Sequence, residues 1–175
     1  MNIIMTGSTS FVGAATVREL LRRGHTVTAI VRPKSSKLDT ILEGNEEALL
    51  SGRLLVTEND LSEPEKLLEK VTKPQDVFCH FGWGGSGSAS RTDKALQEKN
   101  MEISLETIRT AKALGCKKFL FSGSQAEYGM HQDLITEDAV CEPKSLYGEA
   151  KLAMREKGEK LCDELGLRYI HARIF

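Results

Sequence analysis

The sequence predicts an α/β chain organised as a doubly wound parallel sheet with helices on both faces. Short apolar runs alternate with helix-length amphipathic segments along the whole chain, which is the pattern of repeated βαβ units. Crossovers between parallel strands are right-handed, and that handedness restricts such a series to a doubly wound arrangement. The 175 residues suit one domain with a substantial core rather than two full domains.

Strand-length apolar runs fall at Ile3–Thr6, Val27–Val31, Leu54–Thr57, Val77–Phe81, Lys118–Ser122 and Tyr169–Ile174. Helical periodicity covers Phe11–Arg23, Glu63–Val71, Asp93–Leu114 and Ser145–Leu165. Pro33–Gly52 reads as a loop and one short helix. The Gly/Ser-rich stretch Gly82–Ser90 and the polar stretch Gly129–Lys144, with Pro143 inside it, read as loops. On Asp93–Leu114, the residues Leu96, Asn100, Ile103, Thr107, Ala111 and Leu114 share a stripe expected to face the sheet.

Composition narrows the function classes. Lys plus Arg number 24 and Asp plus Glu 25, a formal charge of −1, so nothing supports a basic nucleic-acid surface or an acidic tail. Cys79, Cys116, Cys141 and Cys162 are scattered, with no CxxC and no His at ligand spacing. They read as reduced thiols, not as a disulfide framework or a metal site. Met1–Met5 leads straight into a strand without a charged leader region, and no apolar run approaches a membrane span. The expectation is a soluble cytoplasmic domain with no nucleic-acid, membrane or metal partner.

Strand one ends in Thr6-Gly7-Ser8-Thr9-Ser10-Phe11-Val12-Gly13, followed at once by a helical pattern. Gly7 permits a tight turn and Gly13 close packing of the helix, whose N-terminus at Phe11–Gly13 offers N–H groups to a pyrophosphate. Ser10 stands where a middle glycine would let the backbone approach the phosphate, and its hydroxyl can donate instead. A Gly/Ser turn that caps a helix without any ligand is the plain alternative. Proteins of this architecture that select NAD place an acid after strand two. Here Val31 is followed by Arg32, then Lys34 and Lys37. A guanidinium suits a 2′-phosphate, so NADP is favoured over NAD, unless Arg32 is a solvated loop charge. Asp60, with Leu61 beside it, follows strand three and either reaches the adenine edge or belongs to the N-cap of the next helix.

Tyr147 and Lys151 are four residues apart and share a helical face with Met154, Gly158, Leu161 and Leu165. A phenol ionises near ~10, and a neighbouring ammonium favours the phenolate needed for proton transfer. Spacing alone equally describes a snorkelling lysine beside an amphipathic tyrosine. Ser124 lies near the carboxyl end of strand five, where open α/β sheets bind ligands; it either orients a substrate oxygen or forms a turn. Asn100 sits among apolar neighbours, where a buried amide needs partners. A water held between Asn100 and Lys151 would satisfy both, and a structural role is the alternative.

In combination these residues resemble the extended short-chain dehydrogenase/reductase family, especially its nucleotide-sugar epimerases and dehydratases. The likeness spans the chain through Thr6-Gly7…Gly13, Asp60-Leu61, His80-Phe81-Gly82, Asn100, Phe121-Ser122-Gly123-Ser124…Tyr128-Gly129, Thr136-Glu137-Asp138, Pro143-Lys144-Ser145-Leu146-Tyr147-Gly148…Lys151 and Arg173-Ile174-Phe175. The resemblance implies a Rossmann fold and a cofactor held by Gly7, Ser10, Phe11, Val12, Gly13, Arg32, Asp60, Leu61, Phe81 and Gly82, with Tyr147 and Lys151. It implies that Tyr147 is the acid/base, Lys151 its electrostatic partner, Ser124 the substrate-orienting hydroxyl and Asn100 the relay residue. A homodimer through the helices at Asp93–Leu114 and Ser145–Leu165 is implied as well. Three departures stand out: Ser10 replaces the middle glycine, and Gln125 and Ala126 replace the acids that dehydratases carry after the serine, which argues against dehydration. The substrate-binding segment that follows Arg-x-Phe in the family is missing, so a longer protein is expected.

The resulting expectation is an NAD(P)-dependent epimerase or reductase acting on a hydroxyl or keto group of a nucleotide sugar or similar small molecule. A non-catalytic NAD(P)-binding regulatory module of the same fold is the alternative. Ser124, Tyr147 and Lys151 together speak against it, because a binder needs no acid/base pair.

Overall fold

Six parallel strands form one sheet: β1 (Asn2–Thr6), β2 (Thr26–Val31), β3 (Leu54–Glu58), β4 (Val77–His80), β5 (Lys118–Ser124) and β6 (Arg168–Ile174). Their spatial order is β3-β2-β1-β4-β5-β6, so the winding direction reverses between β1 and β4 and opens a crevice at their carboxyl ends. The computed structural model describes residues 1–85, 87–132 and 134–175. Ser86, in the Gly82–Ser90 stretch, and Asp133, in the Gly129–Lys144 stretch, lie outside the described residues.

The helices are α1 (Phe11–Arg22), α2 (Asp39–Leu42), α3 (Glu46–Leu50), α4 (Leu67–Lys70), α5 (Lys94–Ala113) and α6 (Leu146–Leu165). The three long ones begin on side-chain caps: Ser10, Asp93 and Ser145 accept from the N–H groups of Gly13, Leu96 and Gly148. Each such cap is worth about 1 kcal/mol. Helix α6 stops at Gly166, whose φ of 66° is the left-handed closure that glycine supplies without strain. Among the described residues no helix is long and apolar enough to cross a membrane.

Three local expectations are corrected. Pro33–Gly52 contains two short helices, α2 and α3, not one; Ile41 and Ala48 are the buried residues that anchor them. The helix expected over Glu63–Val71 is a 3₁₀ turn at Pro64–Lys66 running into the single turn of α4. Pro64 at its start brings no N–H, and Asn59 holds the carbonyls of Asp60 and Glu63 from outside. The buried face of α5 is Gln97, Asn100, Ser104, Thr107, Ile108, Thr110 and Ala111, rotated from the expected stripe, which leaves Leu96 and Ile103 half-buried.

The pleat sends alternate strand residues to opposite sides. Ile3, Met5, Val27, Ala29 and Cys79 pack with Ala14, Val17 and Leu21 of α1. Ile4, Phe78, Phe119 and Phe121 pack on the other side with Ile108 of α5 and Met154 and Cys162 of α6. Phe119 is fully buried and stacks between Phe78 at 5.6 Å and Tyr169 at 6.3 Å. Phe119→Ala should therefore cost about 3–5 kcal/mol of unfolding free energy. Urea denaturation should show this as a lower midpoint at unchanged m-value.

Candidate active site

The turn from β1 into α1 is built on close backbone contacts. Gly7 has φ of 69°, and a Cβ there would lie 2.6 Å from the Phe81 carbonyl carbon. A Cβ on Gly13 would collide with the Gly7 carbonyl oxygen. The Ser10 oxygen accepts from the Gly13 N–H at 3.0 Å, so Ser10 caps the helix in the place of the absent glycine. Phe11 and Val12 supply the first-turn N–H groups, which have no partner within a helix. Phe11 itself projects into solvent, 94% exposed.

Beside this turn runs a cleft of about 410 Å³ along the carboxyl ends of β1, β2 and β4. Arg32 and Lys37 line it at the β2 end, and Asp60, Leu61 and Gly82 line it farther on. Asp60 is the hinge of a turn: it accepts from the Ser62 N–H at 2.8 Å and hydroxyl at 2.6 Å, bonds that hold its carboxyl below the usual range. It therefore does not cap the following helix. Leu61 presses on Gly82, where a Cβ would lie 2.7 Å from the leucine methyl. Glycines at close approaches, an open helix start and cations at the end of β2 together fit a dinucleotide.

His80 ties three elements together at the bottom of the site. Its Nδ1 meets Thr6 Oγ1 of β1 at 2.9 Å, and its Nε2 meets Ser104 Oγ of α5 at 3.1 Å. The Ser104 hydroxyl donates to the Asn100 carbonyl, so it accepts from Nε2–H, and Thr6 donates to Nδ1. Burial, reinforced by the charge of Lys151, pushes His80 down to about 3 and keeps the ring neutral.

Tyr147 and Lys151 come together at the start of α6, as their spacing implies. Gly148 makes this possible: a Cβ there would lie 2.5 Å from the Ala126 carbonyl oxygen, so α6 begins directly against the turn that follows Ser124. Tyr147 is half-buried, with the Trp83 ring edge-on at 6.2 Å and the Arg91 guanidinium 5.0 Å from its centroid. Lys151 is 2% exposed. Its ammonium donates to the Ser122 carbonyl at 2.8 Å and lies 3.9 Å from the Trp83 ring centroid, 4.7 Å from Phe121 and 5.7 Å from Tyr147. Burial brings Lys151 down to about 7, and the charge of Glu127 opposes that fall.

Ser124 ends β5 half-buried, its oxygen accepting from the Ala126 N–H at 3.2 Å. Asn100 is buried, and its bonds match the structural alternative that its spacing left open. Oδ1 accepts from the Gly84 N–H at 2.9 Å and Nδ2 donates to the Gly84 carbonyl at 2.8 Å. The N–H and carbonyl of a single residue, Gly84, engage both ends of the amide, so Asn100 fixes the loop after β4.

Sequence reasoning missed two residues. Trp83 covers Lys151 and is held by a 3.0 Å bond from Nε1 to Gln97 Oε1. Glu127 is fully buried and bonded to Ser124, His171 and Arg173. The Ser124-x-x-Glu127 spacing was the available signal, since it forms a capping box.

Residues 3–175 match the model of the NAD dependent epimerase/dehydratase family. The chain is similar to D-erythronate dehydrogenase of Cupriavidus necator, 29% identical over 99% of this chain and 53% of that protein. It is also similar to dTDP-6-deoxy-L-talose 4-dehydrogenase (NAD(+)) of Aggregatibacter actinomycetemcomitans, 29% identical over 97% of this chain and 60% of that protein. A solved UDP-glucose 4-epimerase superposes with a TM-score of 0.83 at 26% identity, covering 100% of this chain and 51% of that one. The chain thus spans about half the length of the relatives it matches, 53% and 60% for the two dehydrogenases.

Lys151 makes a pH-dependent contribution to stability. Its ionisation falls from the usual 10.5 to about 7 on folding. Between those values the unfolded lysine binds more proton than the folded one, so the contribution of this group to stability rises with pH, by at most ~1.4 kcal/mol per unit. Below about 7 both states carry the proton and the slope from this group vanishes. Lys151→Met should remove the rise, measured as the change in urea midpoint from neutral to alkaline buffer.

Proposed function

The chain belongs to the NAD dependent epimerase/dehydratase family, and we propose that it carries the cofactor cleft and acid/base residues of an epimerase or reductase. The substrate proposed is a nucleotide sugar or a similar small molecule, which reacts at a hydroxyl or keto group. The observation that carries this reading is the packing of Tyr147 and Lys151 against the Ser124 turn through Gly148, beside a cleft that fits a dinucleotide. Bound NAD(P) supplies a hydride acceptor and donor. Gly7, Ser10, Phe11, Val12 and Gly13 hold its pyrophosphate, and Asp60, Leu61, Phe81 and Gly82 the rest of the cleft wall.

In this reading the Tyr147 hydroxyl takes the substrate proton and returns it. The charge of Lys151 lowers the cost of the phenolate that forms. Ser124 presents the substrate oxygen to Tyr147, and Asn100 keeps the Gly84 loop in place beside them. The names of the relatives support both a sugar nucleotide and an aldonic acid as substrate class. We further infer that NADP is preferred over NAD, supported by Arg32 and Lys37 on the cleft wall and by the absence of an acid directly after β2. A homodimer through α5 and α6 is part of the same reading, supported by half-buried Leu152 and Ala153 on α6. Four unpaired cysteines suit a cytoplasmic setting.

Tyr147→Phe in the complete gene product should abolish turnover and spare cofactor binding, because only the proton-carrying hydroxyl is lost. An activity screen on sugar nucleotides, read by reduced-cofactor absorbance and sugar analysis, checks this and separates an epimerase from a reductase. Near-wild-type turnover would count against Tyr147 as the acid/base. Arg32→Ala should weaken NADP by about ten-fold or more while leaving NAD nearly unchanged. Calorimetry showing equal losses for both cofactors would refute the preference.

A further inference from the structure

Between the turn after β5 and strand β6 lies a buried polar cluster to which the proposed chemistry assigns no role. Glu127 is 0% exposed. Its Oε1 accepts from the Ser124 N–H at 2.7 Å, and its Oε2 accepts from Arg173 Nε at 2.8 Å. His171 Nε2 lies 2.9 and 3.0 Å from the two oxygens. Gly123 leaves room for the cluster, since a Cβ there would lie 2.6 Å from Glu127 Oε1 and 2.5 Å from His171 Nε2. The chain of contacts continues through His171 Nδ1 to the Tyr169 hydroxyl at 3.1 Å, which donates to the Met154 carbonyl of α6 at 2.9 Å. One carboxylate thus links the end of β5 to β6 and, through β6, to the helix that carries Tyr147 and Lys151.

Stability alone is a poor reason for such a cluster, because well-packed apolar groups in place of a buried ion pair are often no less stable. The surroundings of Lys151 supply a better one. Its ammonium has one neutral acceptor, the Ser122 carbonyl, and three ring faces. Among the described residues no carboxylate lies within salt-bridge distance of it. The ionisable groups around it are His80 from β4, neutral and buried; Tyr147 from its own helix, with Arg91 on that ring; and Glu127 from the turn after β5, backed by Arg173 and His171 of β6. Glu127 is the negative member of that set.

We propose that Glu127 is a positioning residue of this site: its buried carboxylate fixes the Ser124 peptide and gives the Lys151 ammonium the negative charge that its own pocket lacks. The inference rests on the reading of Ser124, Tyr147 and Lys151 as the acid/base set. Two opposing effects set the Glu127 charge. Burial alone would raise its carboxyl, but the hydrogen bond and charge of His171, with the bond from Arg173, outweigh burial and hold it below the usual range. The group is therefore an anion wherever Lys151 titrates. Removing that charge leaves Arg173 behind an already desolvated lysine, and Lys151 loses its proton at a lower pH.

The test reads Lys151 and Ser124 directly. Protein labelled with [15N]lysine is titrated by NMR across the neutral range, and the Lys151 signal is identified by its loss in Lys151→Met. Glu127→Gln should lower the Lys151 midpoint by about half a pH unit or more, and Glu127→Asp, which keeps the charge, should restore most of that loss. In Glu127→Ala the Ser124 amide should exchange with solvent about ten-fold faster or more, while that of Phe121, inside the β4–β5 ladder, stays protected. An unchanged Lys151 midpoint in Glu127→Gln, or unchanged protection of Ser124 in Glu127→Ala, overturns the proposal. Should either variant fail to fold, Arg173→Met decides: removing the positive charge behind the carboxylate should raise the Lys151 midpoint, and no rise overturns it. Neither readout needs turnover, so failure of the acid/base reading in the activity screen is distinguishable from failure here.

Discussion

The site is organised around a single buried charge, the ammonium of Lys151. A lysine nine-tenths or more out of water carries a large desolvation cost, and among the described residues this one receives one carbonyl, three aromatic faces and a field from Glu127 in return. Each of those groups has to be held in place. Trp83 is anchored by Gln97, and Gln97 in turn by the Ser90 carbonyl at 2.8 Å. The Ser122 carbonyl belongs to β5, whose position is set by pairing with β4 and β6. His80, close enough for the lysine charge to depress it further, stays neutral, so a second positive charge is kept away. The polar network around the site follows from stabilising this one group.

The same demand explains the unusual composition of α5. A helix buried against a sheet normally presents an apolar stripe, yet α5 buries Gln97, Asn100, Ser104 and Thr107 beside Ile108 and Ala111. The first three reach out to something specific: Gln97 to Trp83, Asn100 to the Gly84 peptide, Ser104 to His80. Their partners all lie on β4 or the loop directly after it, at the crevice where the sheet reverses its winding. The helix gives up apolar contact in this half so that the loop takes one conformation. Its second half, with Ile108 and Ala111, and Leu114 at its C-cap supply the packing.

This division also decides what was legible in the sequence. The strands, the three long helices and the Gly7–Gly13 turn announce themselves through periodicity and glycine spacing, and Tyr147 and Lys151 through a four-residue interval on one helix. The α5 face was misread because hydrophobic periodicity scores Gln97 and Ser104 as solvent-facing, and only tertiary partners make their burial tolerable. The Glu63–Val71 segment reads as a helix by pattern, but Pro64 and the side chain of Asn59 shorten it to little more than a turn. Asn100 is legible as a buried amide that needs partners, but not which ones: they are the backbone N–H and carbonyl of Gly84, sixteen positions earlier. Contacts between sequence-distant polar atoms leave no periodic trace.

Glu127 lies at the far end of that scale, and its case shows how a site can be read beyond its motif. The Tyr147–Lys151 interval locates the proposed acid/base pair without saying how the lysine keeps its charge once buried. That question is about free energy, and it can be answered only by finding the anion. The nearest local sequence signal, Ser124-x-x-Glu127, reads as a helix cap, and the structure does form a capping box there. The cap encloses one 3₁₀ turn of three residues, however, too little helix to need a fully buried carboxylate bonded to both an arginine and a histidine. Position on the strand completes the account: His171 and Arg173 are two apart on β6, so the pleat turns both to the same side as Glu127, with Tyr169 two residues earlier extending the line to α6. Strand periodicity, a cap motif and a desolvated lysine are each ordinary. Their convergence on one carboxylate makes Glu127 part of the site's electrostatics as well as of its scaffold.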